Sequence, residues 1–157
     1  MTAIFLHGLD SSSKGRKGRY FSTHFPAMLV PDFSGDLQKR MARLNDILSA
    51  ASDIIMIGSS YGGLMATLFA MKNENRLKKI ILLAPALNFP EFRPSSHAKI
   101  SVPTWIYQGS RDEVTPLAQV KPTALKTFSN LQFLVSDDDH FLRQTVAGID
   151  WQRHLER

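Results

Sequence analysis

Asp53-Ile54-Ile55-Met56-Ile57-Gly58-Ser59-Ser60-Tyr61-Gly62-Gly63-Leu64-Met65-Ala66 decides the fold. The apolar run up to Ile57 reads as a strand, and the stretch from Tyr61 reads as a helix. Between them stands G-x-S-x-G, with Ser60 at its centre. A residue that carries the chain directly from a strand into a helix sits on a sharp turn, where φ > 0 is expected. A Cβ at Gly58 or Gly62 would collide with the neighbouring strand or helix, which is why glycine flanks the serine. Ser59 lacks such flanks. A glycine-rich turn with an idle serine is the competing reading of this stretch.

The same alternation runs outward in both directions. Strands are expected at residues 3–6, 28–30, 53–57, 79–84, 104–108 and 131–135. Helices are expected at about residues 17–25, 37–50, 61–73, 116–128 and 141–155, the last weakened by Gly148. Asp36 can cap the second helix, whose Leu37, Met41, Leu44, Ile47 and Leu48 fall on one face. The third helix is apolar nearly all round and should be the most buried. Alternating strands and helices, with several strands apolar on both faces, predict a three-layer α/β/α sandwich around a mostly parallel six-stranded sheet. Residues 1–157 are expected to form one domain. The irregular stretch 85–103 is long for a plain connection and reads as a functional loop or small lid.

Composition narrows the chemistry. The 157 residues contain no cysteine, so no disulfide, thiolate nucleophile or thiolate metal site is available. The histidines show no metal-ligand spacing, so no metal and no cofactor is expected. No signal peptide and no membrane-spanning run is readable, which makes a soluble, cytoplasmic protein the expectation. Composition does not speak to oligomeric state. The net charge of +5 raises nucleic acid as a partner. The densest basic segment, Lys14-Gly15-Arg16-Lys17-Gly18-Arg19, reads instead as a solvated loop and first helix turn. No nucleic-acid partner is expected.

In a parallel sheet of this kind, ligands bind beyond the carboxyl ends of the strands. The first strand is followed by His7-Gly8-Leu9-Asp10 and the third by Ser60. The fifth is followed by Asp112-Glu113-Val114-Thr115-Pro116 and the sixth by Asp137-Asp138-Asp139-His140-Phe141. A serine, an acid and a histidine thus fall in that order on one rim. On these residues the chain resembles the α/β-hydrolases over essentially its whole length. It is most similar to small single-domain bacterial esterases of the YqiA type, which open on a loop like His7-Gly8-Leu9-Asp10-Ser11-Ser12. Asp112-Glu113-Val114-Thr115-Pro116 departs slightly, just before Pro116, from the family's D-x-x-V-P-like pattern. The resemblance implies a reduced α/β-hydrolase fold with little or no cap and a strand order of 2-1-3-4-5-6.

The roles follow from acid–base chemistry. Ser60 is a weak nucleophile as a neutral hydroxyl and needs a base. His140 is the candidate, since an imidazole can take a proton near neutral pH and return it. Asp112 would hold the other ring nitrogen and stabilise the imidazolium. The backbone N–H groups of Leu9 and Tyr61 are the candidate oxyanion donors. His7 is expected to brace that loop. His24, His97 and His154 are expected at the surface, and Phe89, Phe92 and Phe141 in the pocket. The expected activity is hydrolysis of small or short-chain esters or thioesters through an acyl-enzyme. The alternatives are a non-catalytic binding or scaffold protein on the same fold, or an acyltransferase or peptidase using the same three side chains.

Overall fold

The computed structural model describes residues 1–156. Five strands, β1 (Thr2–Leu6), β2 (Ile54–Ser59), β3 (Leu77–Leu83), β4 (Thr104–Gly109) and β5 (Leu131–Ser136), form one sheet in the order β1-β2-β3-β4-β5, every pair parallel. Six helices accompany them. They are α1 (Arg16–His24), α2 (Leu37–Ile47), α3 (Tyr61–Asn73), α4 (Leu117–Thr127), α5 (Arg143–Gly148) and α6 (Trp151–Leu155). The strand period of two divides the core between the two faces of the sheet. Ile54 and Met56 point into one layer with Leu64, Met65 and Phe69 of α3 and Leu44 of α2. Ile55 and Ile57 point into the other, with Phe21 of α1, Val146 of α5 and Trp151 of α6.

The central strand β2 is buried along its whole length. The helix that follows it packs against both β2 and β3. Leu64, Met65 and Ala66 are fully buried, and each large apolar side chain removed from water in this way contributes about 1.5–3 kcal/mol. Asp36 caps α2, its carboxylate accepting from the Lys39 N–H at 2.9 Å. This bond satisfies one of the free amides of the first turn.

Two expected elements differ. Residues 28–30 do not form a sixth strand. Leu29 makes a single parallel bridge to Ile4, with Phe5 N–H donating to Leu29 O and Leu29 N–H to Ala3 O, both at 2.9 Å. The segment lies on the β1 edge, where the order 2-1-3-4-5-6 requires it. Pro26 and Pro31 bracket it too closely, and Pro31 has no N–H to continue the ladder. The single helix expected over residues 141–155 is two. The first ends at Gly148, and the second starts afresh from Asp150, whose side chain accepts from the Arg153 N–H at 3.0 Å. Among the described residues no helix is long and apolar enough to cross a membrane.

Candidate active site

Ser60 has φ 54° and ψ −114°, a left-handed conformation between β2 and α3. Such a backbone costs a non-glycine residue about 1–3 kcal/mol and persists only where the surroundings over-determine it. Here they do. Ser60 N–H donates to Leu83 O at 2.9 Å, and its carbonyl accepts from the N–H groups of Gly63, Leu64 and Ala86. A Cβ on Gly58 would fall on the Gly62 carbonyl, and one on Gly62 on the carbonyl of Leu6. The glycine positions of the motif are therefore imposed by close approach of three backbone segments.

Asp112 follows β4 and is buried. Its Oδ1 accepts from the N–H groups of Val114 (2.9 Å) and Thr115 (2.8 Å), and its Oδ2 from the Thr115 hydroxyl (2.7 Å). The same Oδ2 lies 2.8 Å from His140 Nδ1, and His140 Nε2 lies 3.0 Å from Ser60 Oγ. These partners define the tautomer: Nδ1–H donates to Asp112, leaving Nε2 to accept from Ser60. Burial opposes ionisation of Asp112. The His140 ring and the amide and hydroxyl of Thr115 outweigh it, and the carboxyl sits below its ordinary value. Thr115 stands directly before Pro116, and its hydroxyl adds a hydrogen bond to the carboxylate that the backbone N–H alone would not supply.

The His140 loop is fastened to the Asp112 loop by backbone. Arg111 N–H donates to Asp138 O at 3.0 Å, and a Cβ on Gly109 would fall on that same carbonyl. Asp138 then ties the loop to α5, accepting from the N–H (3.0 Å) and hydroxyl (2.8 Å) of Thr145. Burial opposes ionisation of Asp138 too, but those bonds keep its carboxyl below the ordinary value.

On the other side of Ser60 lies the loop after β1. A Cβ on Gly8 would come within 3.6 Å of the Ser60 Cβ. Neither the Leu9 nor the Tyr61 N–H donates to a protein acceptor among the described residues. His7 braces this loop from behind, its Nδ1–H donating to Gly8 O (2.7 Å) while Nε2 accepts from the Phe33 N–H (2.9 Å). Leu9, Ser60, His140, Phe89, Val114 and Phe141 are among the residues that enclose a cavity of about 550 Å³.

A family model described as "Alpha/beta hydrolase domain" matches residues 27–157. The chain belongs to this alpha/beta hydrolase family. The chain is 37% identical over 83 residues to a homoserine O-acetyltransferase of Thermus thermophilus. That match covers 52% of the chain but only 20% of the relative, so the chain spans about a fifth of the curated relative it matches. Among solved structures it is similar to an esterase from Exiguobacterium antarcticum (TM-score 0.80, 13% identity, 99% of this chain and 92% of the other). It is also similar to Est1E from Butyrivibrio proteoclasticus, solved with ferulic acid bound (TM-score 0.68, 17% identity, 88% and 80% covered).

Several side chains at the site of this alpha/beta hydrolase differ from their sequence reading. Phe92 is buried in the core, whereas Phe89 and Phe141 line the cavity. His154 is buried rather than superficial, with Tyr107 Oη 2.8 Å from its Nε2. Burial lowers its pKa. Arg16, exposed as the sequence reading expects, and the half-buried Lys17 both line the cavity. Arg40 lies outside every motif that the sequence singles out. It is buried behind the loop after β1, with Nε donating to Gly35 O (2.9 Å) and Nη2 to Leu9 O (3.3 Å), and its guanidinium 5.4 Å from the Tyr61 ring centroid. Its Nη1 has no hydrogen-bond partner among the described residues. The signal was available: Arg40 lies three residues after Leu37 and four before Leu44, on the apolar face of α2.

Proposed function

We propose that this chain is a serine hydrolase that cleaves carboxylic esters or thioesters of small or short-chain acyl groups. The observation that supports it best is the chain of hydrogen bonds from Ser60 Oγ through His140 to Asp112, at the floor of an open cavity. In this reading Ser60 Oγ attacks the acyl carbon while its proton passes to His140 Nε2. Asp112 steadies the imidazolium from the Nδ1 side. The Leu9 and Tyr61 N–H groups receive the oxyanion of the tetrahedral intermediate. Collapse breaks the bond to the leaving oxygen or sulfur, which takes the proton from Nε2. Water then repeats the cycle on the acyl-Ser60 and regenerates the free hydroxyl. The substrate partner is a small molecule, and the protein works in the cytoplasm.

One observation favours a second reading. Half of the chain is 37% identical to a homoserine O-acetyltransferase, and an acyltransferase would use the same acyl-enzyme with an alcohol in place of water. A fluorophosphonate probe followed by peptide mass spectrometry tests the shared step. Labelling at Ser60, lost in Ser60→Ala, is expected. Labelling that survives the substitution unchanged would overturn both readings. Turnover of short-chain esters in water alone, unaffected by added alcohols, separates hydrolysis from transfer.

A further inference from the structure

The basic segment that composition assigned to the solvent reaches the site. Arg16 and Lys17, in the first turn of α1, line the cavity over Ser60 together with Arg143, the first residue of α5. These three and Phe141 also line a second cavity of about 270 Å³ between α1 and α5, to which Arg19 adds a further cation. They form the boundary shared by the two chambers. The second chamber has no Asp or Glu in its wall, and its apolar surface comes from Tyr20, Val146 and Ala147.

Among the described residues these cations have no ion-pair partners, the salt bridges being Arg111–Asp137 and Asp112–His140. The carboxylates that act on Lys17, Asp138 and Asp139, accept from neutral donors, Asp138 from Thr145 and the Asp139 N–H, and Asp139 from the Phe141 N–H at 2.9 Å. Asp10 also lines the cavity over Ser60, and among the described residues it forms no ion pair with these cations. Lys17 Nζ donates only to a neutral acceptor, Phe141 O, at 2.8 Å. Burial and the charges of Arg16 and Arg143 lower its pKa even though Asp138 and Asp139 oppose them. Arg16 and Lys17 sit in the first turn of α1, where the helix N-terminus disfavours positive charge. Like charges held together against their own repulsion, beside a reacting centre, call for an anion. Elsewhere the wall of the catalytic cavity includes the apolar Leu9, Phe89 and Val114, with Asp10 and Ser11 on the loop after β1.

We propose that the two chambers bind an ester or thioester that is apolar at one end and anionic at the other, its carboxylate or phosphate held by Arg16, Lys17 and Arg143. The scissile carbonyl lies between them, over Ser60. Arg143, its guanidinium carbon 5.4 Å from the Phe141 ring centroid, lines both chambers. This inference rests on the hydrolase reading for its scissile bond, but not for its anion site.

The test compares three esters of matched acyl length: neutral ethyl butyrate, the carboxylate monoethyl succinate and the phosphate 2-(butyryloxy)ethyl phosphate. The expected result is a kcat/KM at least about tenfold higher for one or both anionic esters, expressed through KM and shrinking as salt is added. Which anionic ester gains shows on which side of the scissile carbonyl the anion is held, the acyl side in monoethyl succinate and the leaving-group side in the phosphate; calorimetric titration with succinate and inorganic phosphate separates carboxylate from phosphate. In the double variant Arg16→Gln/Arg143→Gln, the ratio of anionic to neutral kcat/KM should fall about tenfold. Lys72→Gln/Lys78→Gln removes the same net charge far from the site and should leave the ratio intact. Equal kcat/KM for all three esters, or a ratio insensitive to Arg16 and Arg143, would overturn the proposal. If no ester is turned over and Ser60 takes no probe, the hydrolase reading fails on its own. The anion site is then decided by calorimetric titration with succinate and inorganic phosphate. Binding that is lost in the double variant supports it, and absence of binding to the unaltered protein overturns it.

Discussion

The two walls of the cavity are built in opposite ways. The wall that carries Ser60, His140 and Asp112 is held by backbone. Ser60 is fixed by hydrogen bonds from three amides and to one carbonyl, Asp112 by two amides and a hydroxyl, and the two loops by Arg111 N–H on Asp138 O. The wall that carries Arg16, Lys17 and Arg143 is held by almost nothing. Its cations are exposed or half-buried, and Lys17 alone makes a side-chain hydrogen bond. Chemistry needs reacting atoms fixed to a fraction of an ångström, and only buried, hydrogen-bonded backbone provides that. Recognition of a charged group tolerates side chains that reach and adjust, because charge attraction is long-ranged.

That contrast is most severely tested at Ser60. Ser60→Ala should lower kcat by roughly 10⁴–10⁶ with little change in KM, as in triad knockouts. Substitutions on the cationic wall should act chiefly through KM. A comparable kcat loss from the cationic wall would erase the distinction.

Arg40 sharpens the comparison, being a cation on the rigid side. Removing it frees Leu9 O and strips a buried positive charge from beside Tyr61. Arg40→Met should reduce kcat by about ten- to a hundredfold, with a smaller effect on KM, because an oxyanion donor acts mainly in the transition state. Arg40→Lys, which keeps the charge but not the fork, should fall between the two. Steady-state kinetics beside thermal melting separates this from a general loss of structure.

The strain at Ser60 is a further point of difference. Ser60→Gly removes the Cβ that the left-handed backbone disfavours, so the inactive variant should be more stable than the parent by about 1 kcal/mol. A higher urea midpoint with an unchanged m-value would show it, and a lower one would mean that the turn is not strained.

The smallest effect is that of acid on the rigid wall. Asp112 and Asp138 both have folded-state pKa values below the ordinary carboxylate value. The unfolded chain therefore binds protons first as pH falls. The stabilisation is complete above the ordinary carboxylate range and is lost as pH drops through that range toward the folded values. Urea midpoints measured from pH 6 to pH 3 should decline, and Asp112→Asn or Asp138→Asn should flatten the decline.

Some of this was legible without coordinates because the constraint was local. Gly58 and Gly62 flank Ser60 because of clashes within a few residues of the motif. Asp36 caps α2 through its own third amide. Strand ends could be ordered along the chain, which singled out Asp112 and His140. The edge position of residues 28–30 follows from the family resemblance, whereas their reduction to a single bridge follows from the two prolines that bracket them. Phe92 and His154 were misread because burial depends on what packs from elsewhere, and an aromatic ring or an imidazole suits a core as well as a surface.

By itself, then, the sequence determined the alternation of strands and helices, the sharp turn at Ser60 and the candidacy of Asp112 and His140. Each follows from short-range sterics and periodicity. Only the tertiary structure decided the 3.0 Å and 2.8 Å contacts that join those three side chains. It also decided the burial of Arg40 behind Leu9 and the meeting of Arg16 and Lys17 with Arg143, more than a hundred residues away. Those relations are set by how α1, α2 and α5 pack on the sheet, and no local rule of spacing or propensity encodes a distance between elements.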